Sequence, residues 1–305
     1  MDFEQLKNYC NIKVELNFFG IPVNAWVNQA DVDDLHFFYR HSRGHPDSAG
    51  DKKTIVDSYL YSADGFFRSM LAKDNRDKTI AYKSTHSGEP TFIKTFNGWS
   101  GIPSILPPFH YFIRTHDLVI FPATVIVSPS QRQAVALFGD HYIGKTSTAV
   151  ELYIKGWHLL SDHLLVMENQ TGRAHAYFSP IGLRNRNYQR IKQSGLLDVI
   201  EHRETISADT GPVVLVHAED LGIKKHSDSV RLSKCIRLSK GTDWQVDPLL
   251  FSDLPDLYGY GETSTTNTAS IKCYRLSCPE KSQPHEIAEY IELIFQHDCL
   301  YSAVQ

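Results

Sequence analysis

The sequence predicts an α/β protein in two parts, a smaller mixed, β-rich region over residues 1–115 and a larger domain over residues 116–305. Three observations lead to this prediction. Short runs of β-branched and aromatic residues, typical of strands, recur in the first third of the chain. From about residue 116, compact apolar runs alternate with helical patterns. A glycine-containing phosphate-binding motif lies between one such run and one such helix.

The first region contains three runs that predict strands. Residues 14–19 alternate with a period of two, which indicates a half-buried strand. Residues 79–83 and 91–96 are β-branched and aromatic runs joined by turn formers, and they predict a hairpin-like pair. Turn-forming residues fill 41–50 and predict a loop, whereas 109–114 follows two prolines and predicts a short helix.

The second region begins with a predicted strand pair, residues 118–127 and 133–138, separated by a Ser-Pro-Ser-Gln turn. A helix is predicted from Lys145 to about Lys155, because good helix formers fill it and Gly156 stands at the usual stop position.

Further along, residues 157–167 form an apolar run that Ser-Asp-His interrupts, and 212–217 reads as a buried strand. Residues 259–270 are rich in Gly, Ser and Thr and predict a loop. The last helix begins at Pro284, with its apolar residues at 3.6-residue spacing.

Composition and charge exclude several classes of protein. Thirty-one Lys+Arg against thirty-five Asp+Glu give no electrostatic reason to expect a nucleic-acid or membrane partner. Five cysteines without a Cys-x-x-Cys pair argue against a disulfide framework and a thiolate zinc site. The N-terminus lacks a signal-peptide pattern, and the longest apolar stretch is far short of the roughly 20 residues that span a bilayer. We therefore expect a soluble cytoplasmic protein.

Residues 139–146, Gly-Asp-His-Tyr-Ile-Gly-Lys-Thr, match the phosphate-loop pattern G-x-x-x-x-G-K-[ST]. In such a loop, backbone N–H groups and the N-terminus of the following helix bind phosphate oxygens. Lys145 would reach the β- and γ-phosphates, and the Thr146 hydroxyl would bind Mg²⁺. The nucleotide-binding residues that the match predicts are Gly139, Asp140, His141, Tyr142, Ile143, Gly144, Lys145, Thr146 and Ser147.

Residues 139–167 resemble the HPr kinase family, in which the phosphate loop is followed by one short helix, a glycine and a strand that carries an acidic pair. Here Gly156 and the run Ser-Asp162-His163 stand at those places. Residues 180–184 also look like the segment after the acidic strand in HPr-kinase-like enzymes of peptide-modification gene clusters. The resemblance implies a mixed-sheet core of the type shared with phosphoenolpyruvate carboxykinases, and the strand pair within 118–138 fits it.

This resemblance implies a Mg²⁺- and ATP-dependent kinase that transfers the γ-phosphoryl group to a serine-type hydroxyl on a peptide or protein. Asp162 matches the first acidic residue of the pair and would accept the hydroxyl proton. Asp162 would also lie near Mg²⁺ with Thr146. Lys145 would be catalytic because it binds the phosphates. Arg184 could clamp a phosphate, or it could form an ordinary surface pair with Arg186.

Three residues depart from the family pattern. His163 stands in place of the second acid, which puts any reverse reaction in doubt, and Thr124 stands near the place of a family histidine. Tyr142 occupies a usual glycine position, so it must either tolerate an unusual backbone angle or reshape the loop.

Two other functions remain open, a small-molecule hydroxyl kinase and a degenerate nucleotide-binding module without transfer activity. The choice between ATP and GTP also stays open. HPr kinases assemble into rings, so a homo-oligomer is possible, although nothing in these residues requires one. A zinc site is not expected: His41 and His45 have suitable spacing, but Gly44 and Pro46 argue against the helix that would align them.

Overall fold

The computed structural model describes residues 3–42, 56–62, 77–84, 91–97, 118–130, 132–140, 142–207, 211–226, 228–254 and 271–296. The chain divides into two compact units, one of Met1–Phe109 with Phe178–Asp220 and one of His110–Tyr177 with Leu221–Gln305. The segment Phe178–Asp220 therefore groups with the first part of the chain, unlike in the sequence-based division at 115. That domain division stays a prediction.

The helices and strands follow one another in mixed order along the chain. The helices are α1 (Phe3–Tyr9), α2 (Val32–Phe38), α3 (Lys145–Ile154), α4 (Asn185–Gln193) and α5 (Pro284–Gln296). The strands are β1 (Ile12–Phe18), β2 (Ile21–Val27), β3 (Val56–Ser62), β4 (Asp77–Ser84), β5 (Thr91–Asn97), β6 (Leu118–Pro122), β7 (Thr124–Val127), β8 (Ala134–Phe138), β9 (His158–Ser161), β10 (Leu164–Glu168), β11 (Arg173–His175), β12 (Ile181–Arg184), β13 (His202–Ser207), β14 (Gly211–Val216), β15 (Val230–Gly241), β16 (Gln245–Leu249) and β17 (Lys272–Pro279).

The first unit is built on two sheets. One has the order β1-β2-β3-β4-β5, with β2 and β3 parallel and the other neighbours antiparallel. In β2 buried residues alternate with half-buried ones, as expected of a strand with one face toward a core. The second sheet, β12-β14-β13, is antiparallel, and α4 packs on β12 and β14.

The second unit is built on one nine-stranded mixed sheet. Its main order is β6-β10-β11-β15-β8-β7-β9, with β17 and then β16 added beside β15. Strands β8, β15 and β17 run parallel, whereas β7 is antiparallel to both β8 and β9. Consequently β8 and β9 point in the same direction, and their carboxyl ends lie at one edge of the sheet.

Two hydrophobic cores cover the two faces of β8. Val135 and Leu137 pack with α3 and α5 and with apolar residues of β15 and β17. Ala134, Ala136 and Phe138 pack instead with apolar residues of β6, β10 and β11. Since both faces are buried, β8 reads as a continuous apolar run rather than an alternating one. The strand that precedes the phosphate motif is therefore held rigidly.

Most elements predicted from sequence are confirmed in the described residues. Strand β1, the β4–β5 pair, β9, β10 and β14 lie where expected. Helix α3 begins at Lys145 and ends before Gly156, whose φ of 91° closes it. The α/β class with mixed sheets is also confirmed. None of the helices within the described ranges combines the length and apolarity that a bilayer span needs.

The prediction of one strand over 118–127 is wrong. The run divides at Ala123 into β6 and β7, and β6 pairs with β10, whereas β7 pairs with β8 and β9. The backbone N–H of Ala123 donates to the carbonyl of His163 at 3.2 Å, which fixes the division. Pro122 cannot donate a ladder hydrogen bond and so marks the end of β6, but the apolar pattern does not show that the two halves pair with different strands.

Several predictions fall on residues outside the described ranges. These are the greater part of the loop over 41–50, including His45, the helix over 109–114, the loop over 259–270, and His141 within the phosphate motif.

Candidate functional site

The phosphate motif and Asp162 lie at the same edge of the second unit's sheet. Gly139 follows β8, and Asp162 follows β9. Between them β7 runs the opposite way, so its first residue, Thr124, stands at this edge as well. Register confirms the placement, since Thr124 pairs with Leu137 near the end of β8. The topology therefore places the phosphate motif, Thr124 and Asp162, which come from three neighbouring strands, at one edge of the sheet.

The loop backbone adopts conformations that glycine permits. Gly139 has φ of 137°, and a Cβ there would lie 2.8 Å from the carbonyl oxygen of Leu238. Gly144 has φ of 106° and forms the N-cap of α3. Both positions therefore need glycine, the first for space and the second for backbone angle.

Tyr142 resolves one alternative that the sequence left open. Its φ is 67°, in the left-handed region, so the loop keeps its turn and the tyrosine adopts the unusual angle. The residue is 59% exposed. A non-glycine residue in this region costs about 1–2 kcal/mol, which the rest of the loop must offset.

We expect Tyr142→Gly to stabilise the protein by about 0.5–1 kcal/mol, because the relief of this strain exceeds the extra chain entropy of glycine. Tyr142→Val should destabilise it, since a β-branched residue tolerates φ above zero worst, and Tyr142→Asn should lie near the glycine variant. Chemical denaturation of the three variants gives the order. A valine variant as stable as the glycine variant would contradict a left-handed residue here.

The N-terminus of α3 offers an anion site at the loop. The first N–H groups of an α-helix have no partner within the helix and carry the positive end of its dipole. At α3 the N-cap is Gly144, which has no side chain with which to cap them, and the first turn contains no acidic residue. These residues therefore fit a bound phosphate.

Lys145 spans the mouth of the loop. Its Nζ donates to the backbone carbonyls of Gly139 at 2.7 Å and Asp140 at 2.9 Å. Burial lowers the pKa of Lys145, and the carboxylates of Asp162 and Asp140 act in the opposite direction. A phosphate group at the loop would give the ammonium a stronger, charged acceptor than these carbonyls.

Asp162 is buried at the carboxyl end of β9, with 2% of its side chain exposed. Its Oδ2 accepts a hydrogen bond from Thr146 Oγ1 at 3.3 Å. The Thr124 hydroxyl lies 3.2 Å from Oδ1 and 2.9 Å from the backbone carbonyl of Asp162. His163 Nε2 is 3.8 Å from Oδ2 and is more exposed than the carboxylate. The aspartate is thus oriented by two hydroxyls.

The pair Thr146 and Asp162 fits a Mg²⁺ ion. Magnesium takes oxygen ligands at about 2.1 Å in octahedral geometry, so two adjacent ligands lie about 3 Å apart. The 3.3 Å between Thr146 Oγ1 and Asp162 Oδ2 is close to that separation. His163, the next residue along the chain, offers a nitrogen, which is a poorer ligand than a carboxylate oxygen for this hard cation.

Other predicted residues are placed as follows. Ile143 precedes the N-cap of α3 and Ser147 lies in its first turn, and the Ile143 N–H donates to the Asp140 carbonyl at 3.3 Å. Arg184 ends β12 in the first unit and donates from Nη1 to the carbonyl of Gly182 at 3.3 Å. Its role as a phosphate clamp, like that of Arg186 in α4, stays a prediction.

Sequence reasoning missed the contact that Thr124 makes and noted this residue only as the substitute for a histidine. The sequence signal that could have indicated this contact is a hydroxyl residue inside the apolar run 118–127. It also missed Tyr153 of α3, whose buried hydroxyl has no hydrogen-bond partner among the residues that the structure describes. Burial raises the pKa of Tyr153, and Asp162 raises it further, so the phenol stays neutral close to that carboxylate.

Comparison with solved structures gives a distant likeness. No family model and no curated protein matches the chain. Among solved structures, the chain is similar to the HPr(Ser) kinase/phosphatase from Coxiella burnetii, with 12% sequence identity and a TM-score of 0.29. The match covers 59% of this chain and 95% of that one. Membership of the HPr kinase family stays a prediction.

Proposed function

We propose that this protein is a Mg²⁺- and ATP-dependent kinase that transfers the γ-phosphoryl group to a serine-type hydroxyl on a peptide or protein. One observation carries the proposal. A phosphate-loop threonine, Thr146, lies in hydrogen-bond contact with a buried aspartate, Asp162, beside Lys145. Phosphoryl transfer needs these groups together, one set to bind phosphates and metal and one to orient the nucleophile.

Phosphates would bind at the N-terminus of α3, where helix N–H groups and Lys145 converge. On binding, the Lys145 ammonium would leave the carbonyls of Gly139 and Asp140 for phosphate oxygens. Because this ammonium is partly buried, its charge is screened less than that of a surface lysine. It would therefore neutralise charge that develops on the transferred group.

Thr146 Oγ1 and Asp162 Oδ2 would hold the metal. When bound, Mg²⁺ neutralises phosphate charge and orients the β- and γ-phosphates. The protein's own part is to fix both oxygens before the nucleotide arrives. Asp162 is fixed because it is buried and because the Thr124 hydroxyl contacts its carboxylate, and both restrict the rotation of that carboxylate.

Asp162 Oδ1 would accept the proton of the acceptor hydroxyl. In that step a bond forms between the acceptor oxygen and the γ-phosphorus, and the bond from the γ-phosphorus to the bridging oxygen of ADP breaks. The proton passes to the carboxylate. Since 2% of the Asp162 side chain is exposed, a neighbouring side chain must move to admit the acceptor, and the half-buried His163, with Nε2 3.8 Å from Oδ2, is one such neighbour.

A second candidate function is a nucleotide-binding module without transfer. His163 in place of an acid and the shielding of Asp162 favour it. In that case the loop would bind a nucleotide, and no acceptor would be phosphorylated. A small-molecule hydroxyl kinase is a third possibility, which differs from the first only in the acceptor.

A labelling experiment separates these three functions. The full chain is incubated with Mg²⁺ and γ-labelled ATP, in one arm with peptides that vary around a fixed serine and in another with small alcohols. We expect label on serine peptides and a rate that depends on the flanking residues. Label on a small alcohol alone would indicate a metabolite kinase. Nucleotide binding with no label on any acceptor would overturn the kinase proposal.

Thr124 is expected to act as a positioning residue for Asp162. Thr124→Val keeps shape and burial but removes the hydroxyl, so the carboxylate loses one of its two orienting contacts. We expect a fall of about 10-fold or more in the transfer rate with nucleotide affinity unchanged, because misplacement affects chemistry rather than binding. Thr124→Ser, which retains the hydroxyl, should restore most of the rate. Equal rates for the valine and serine variants would contradict this role.

A further inference from the structure

A cluster of ligating side chains lies in the first unit. His41 follows α2, and His217 and Glu219 follow β14. One ligand atom from each residue lies within 4.8 Å of the others. The His41 and His217 rings are 5.2 Å apart at 76°, and His41 Nε2 contacts Glu219 Oε1. The segments that carry them are far apart in sequence and meet only in the folded unit.

We propose that His41, His217 and Glu219 bind a divalent transition-metal ion, with zinc as the best match to the ligand set. Two imidazoles and one carboxylate suit zinc, which takes such ligands at about 2.0–2.2 Å in tetrahedral geometry. Ligand atoms of such a site lie about 3.3–3.5 Å apart, so small rotations of His41 and Glu219 close the remaining gap. Both of these side chains are partly exposed, which leaves room for that movement.

The contacts of His217 prepare it for this role. Its Nε2 lies 2.7 Å from the carbonyl oxygen of Phe37, and a carbonyl can only accept, so the proton is on Nε2. The other ring nitrogen, Nδ1, then keeps its lone pair in the neutral imidazole. Metal-ligating histidines characteristically donate their second ring nitrogen to a carbonyl or carboxylate in this way. Phe37 also packs edge-on against the imidazole at 4.9 Å and fixes its plane.

Charge around the cluster matches a divalent cation. An ion-pair network joins four carboxylates and two guanidinium groups, which gives a net charge of −2 with histidines counted as neutral. Its members are Asp34, Arg203, Glu201, Arg40, Glu219 and Asp220. A 2+ ion would neutralise this network.

Arg40 is the group that a metal must displace. Its Nη2 and Nε donate to Glu219 Oε1 at 2.8 and 3.1 Å, and its Nε also donates to His41 Nε2 at 3.3 Å, so the guanidinium occupies the place where the cation would bind. The same Nη2 also donates to Asp220 Oδ2 at 2.8 Å, and Nη1 lies 3.8 Å from Glu201 Oε2. Arg40 can therefore remain paired with Asp220 and Glu201 when the Glu219 side chain rotates toward the ion. Without a metal, the same residues form an ion-pair cluster.

Zinc titration of the full chain tests the site. The protein is freed of metal with a chelator and titrated with zinc alone against a chromophoric chelator, with bound metal counted by mass spectrometry. Variants His41→Ala and Glu219→Gln change partly exposed ligands, and His285→Ala changes an exposed histidine elsewhere as a control. Cobalt(II) in place of zinc adds a visible spectrum that reports tetrahedral geometry.

We expect the wild type and the His285 variant to bind one more zinc than the His41 and Glu219 variants, or to bind it at least about 100-fold more tightly. Zinc should raise the thermal midpoint of the wild type and not that of the His41 variant. Equal zinc content in all four proteins, or no zinc in the wild type, would overturn the proposal and leave the ion-pair cluster alone. Nucleotide binding at the phosphate loop is not involved in either outcome.

Discussion

Asp162→Asn is expected to lower the rate of phosphoryl transfer by about 10²–10⁴-fold, the range that removal of a general base produces. The fold and ATP binding should persist, because asparagine keeps one side-chain oxygen for Mg²⁺, but the gain in affinity that Mg²⁺ gives should be smaller. The hydroxyls of Thr124 and Thr146 that now face the carboxylate can also accept a hydrogen bond, so the amide nitrogen of asparagine finds a partner. The transfer rate and the dissociation constant of Mg·ATP, measured on the same preparation, separate the two effects.

The matched control for this variant is Asp228→Asn, which makes the same change at an exposed position of the second unit. It should leave both quantities unchanged. If Asp162→Asn transferred phosphoryl groups as fast as the wild type, Asp162 would not be the base. If the Asp162→Asn variant lost nucleotide binding altogether, the role of Asp162 would be to bind the metal and to support the loop, and the role as general base would have no support.

Lys145→Ala is expected to weaken Mg·ATP binding by about 100-fold, or ~3 kcal/mol at 25 °C, because the phosphates lose a charged donor in a partly buried position. The substitution also removes the two contacts from Nζ to the carbonyls of Gly139 and Asp140. Circular dichroism and thermal unfolding therefore accompany the affinity measurement, to show that the loop's loss of these contacts leaves the fold intact.

Lys281→Ala removes an exposed lysine from the same unit and serves as the control, with affinity expected to match the wild type. An unchanged affinity in the Lys145 variant would mean that nucleotide, if bound, does not place its phosphates on this loop. The assignment of Gly139 to Thr146 as a phosphate site would then fail.

Local pattern predicts the phosphate loop and its helix because their determinants are local. An apolar strand, glycines with φ above zero and a helix that begins at Lys145 are all encoded within about twenty residues. The same holds for Asp162, which interrupts an apolar run between β9 and β10. At Tyr142 the pattern identifies two possible backbone outcomes, and the folded loop decides between them.

Non-local pairing determines the rest. The contact between Thr124 and Asp162 exists because β7 lies between β8 and β9, an order that no short segment contains. Likewise β6 pairs with β10, a partner that the run 118–127 does not indicate, although Pro122 marks the point where the run divides. The cluster of His41, His217 and Glu219 depends on segments that only the first unit brings together. Sequence spacing cannot reveal contacts of this kind.

The most direct test of the central claim is calorimetric titration of the wild-type chain with ATP, in the presence of Mg²⁺ and again with the metal chelated. The account predicts one binding site per chain that strengthens with Mg²⁺, because Thr146 and Asp162 supply metal ligands beside the phosphate site. Absence of heat with ATP and with GTP alike would contradict it. In that event Tyr142 and its neighbours would close the loop to phosphates, and both the phosphate site and the kinase function would be rejected.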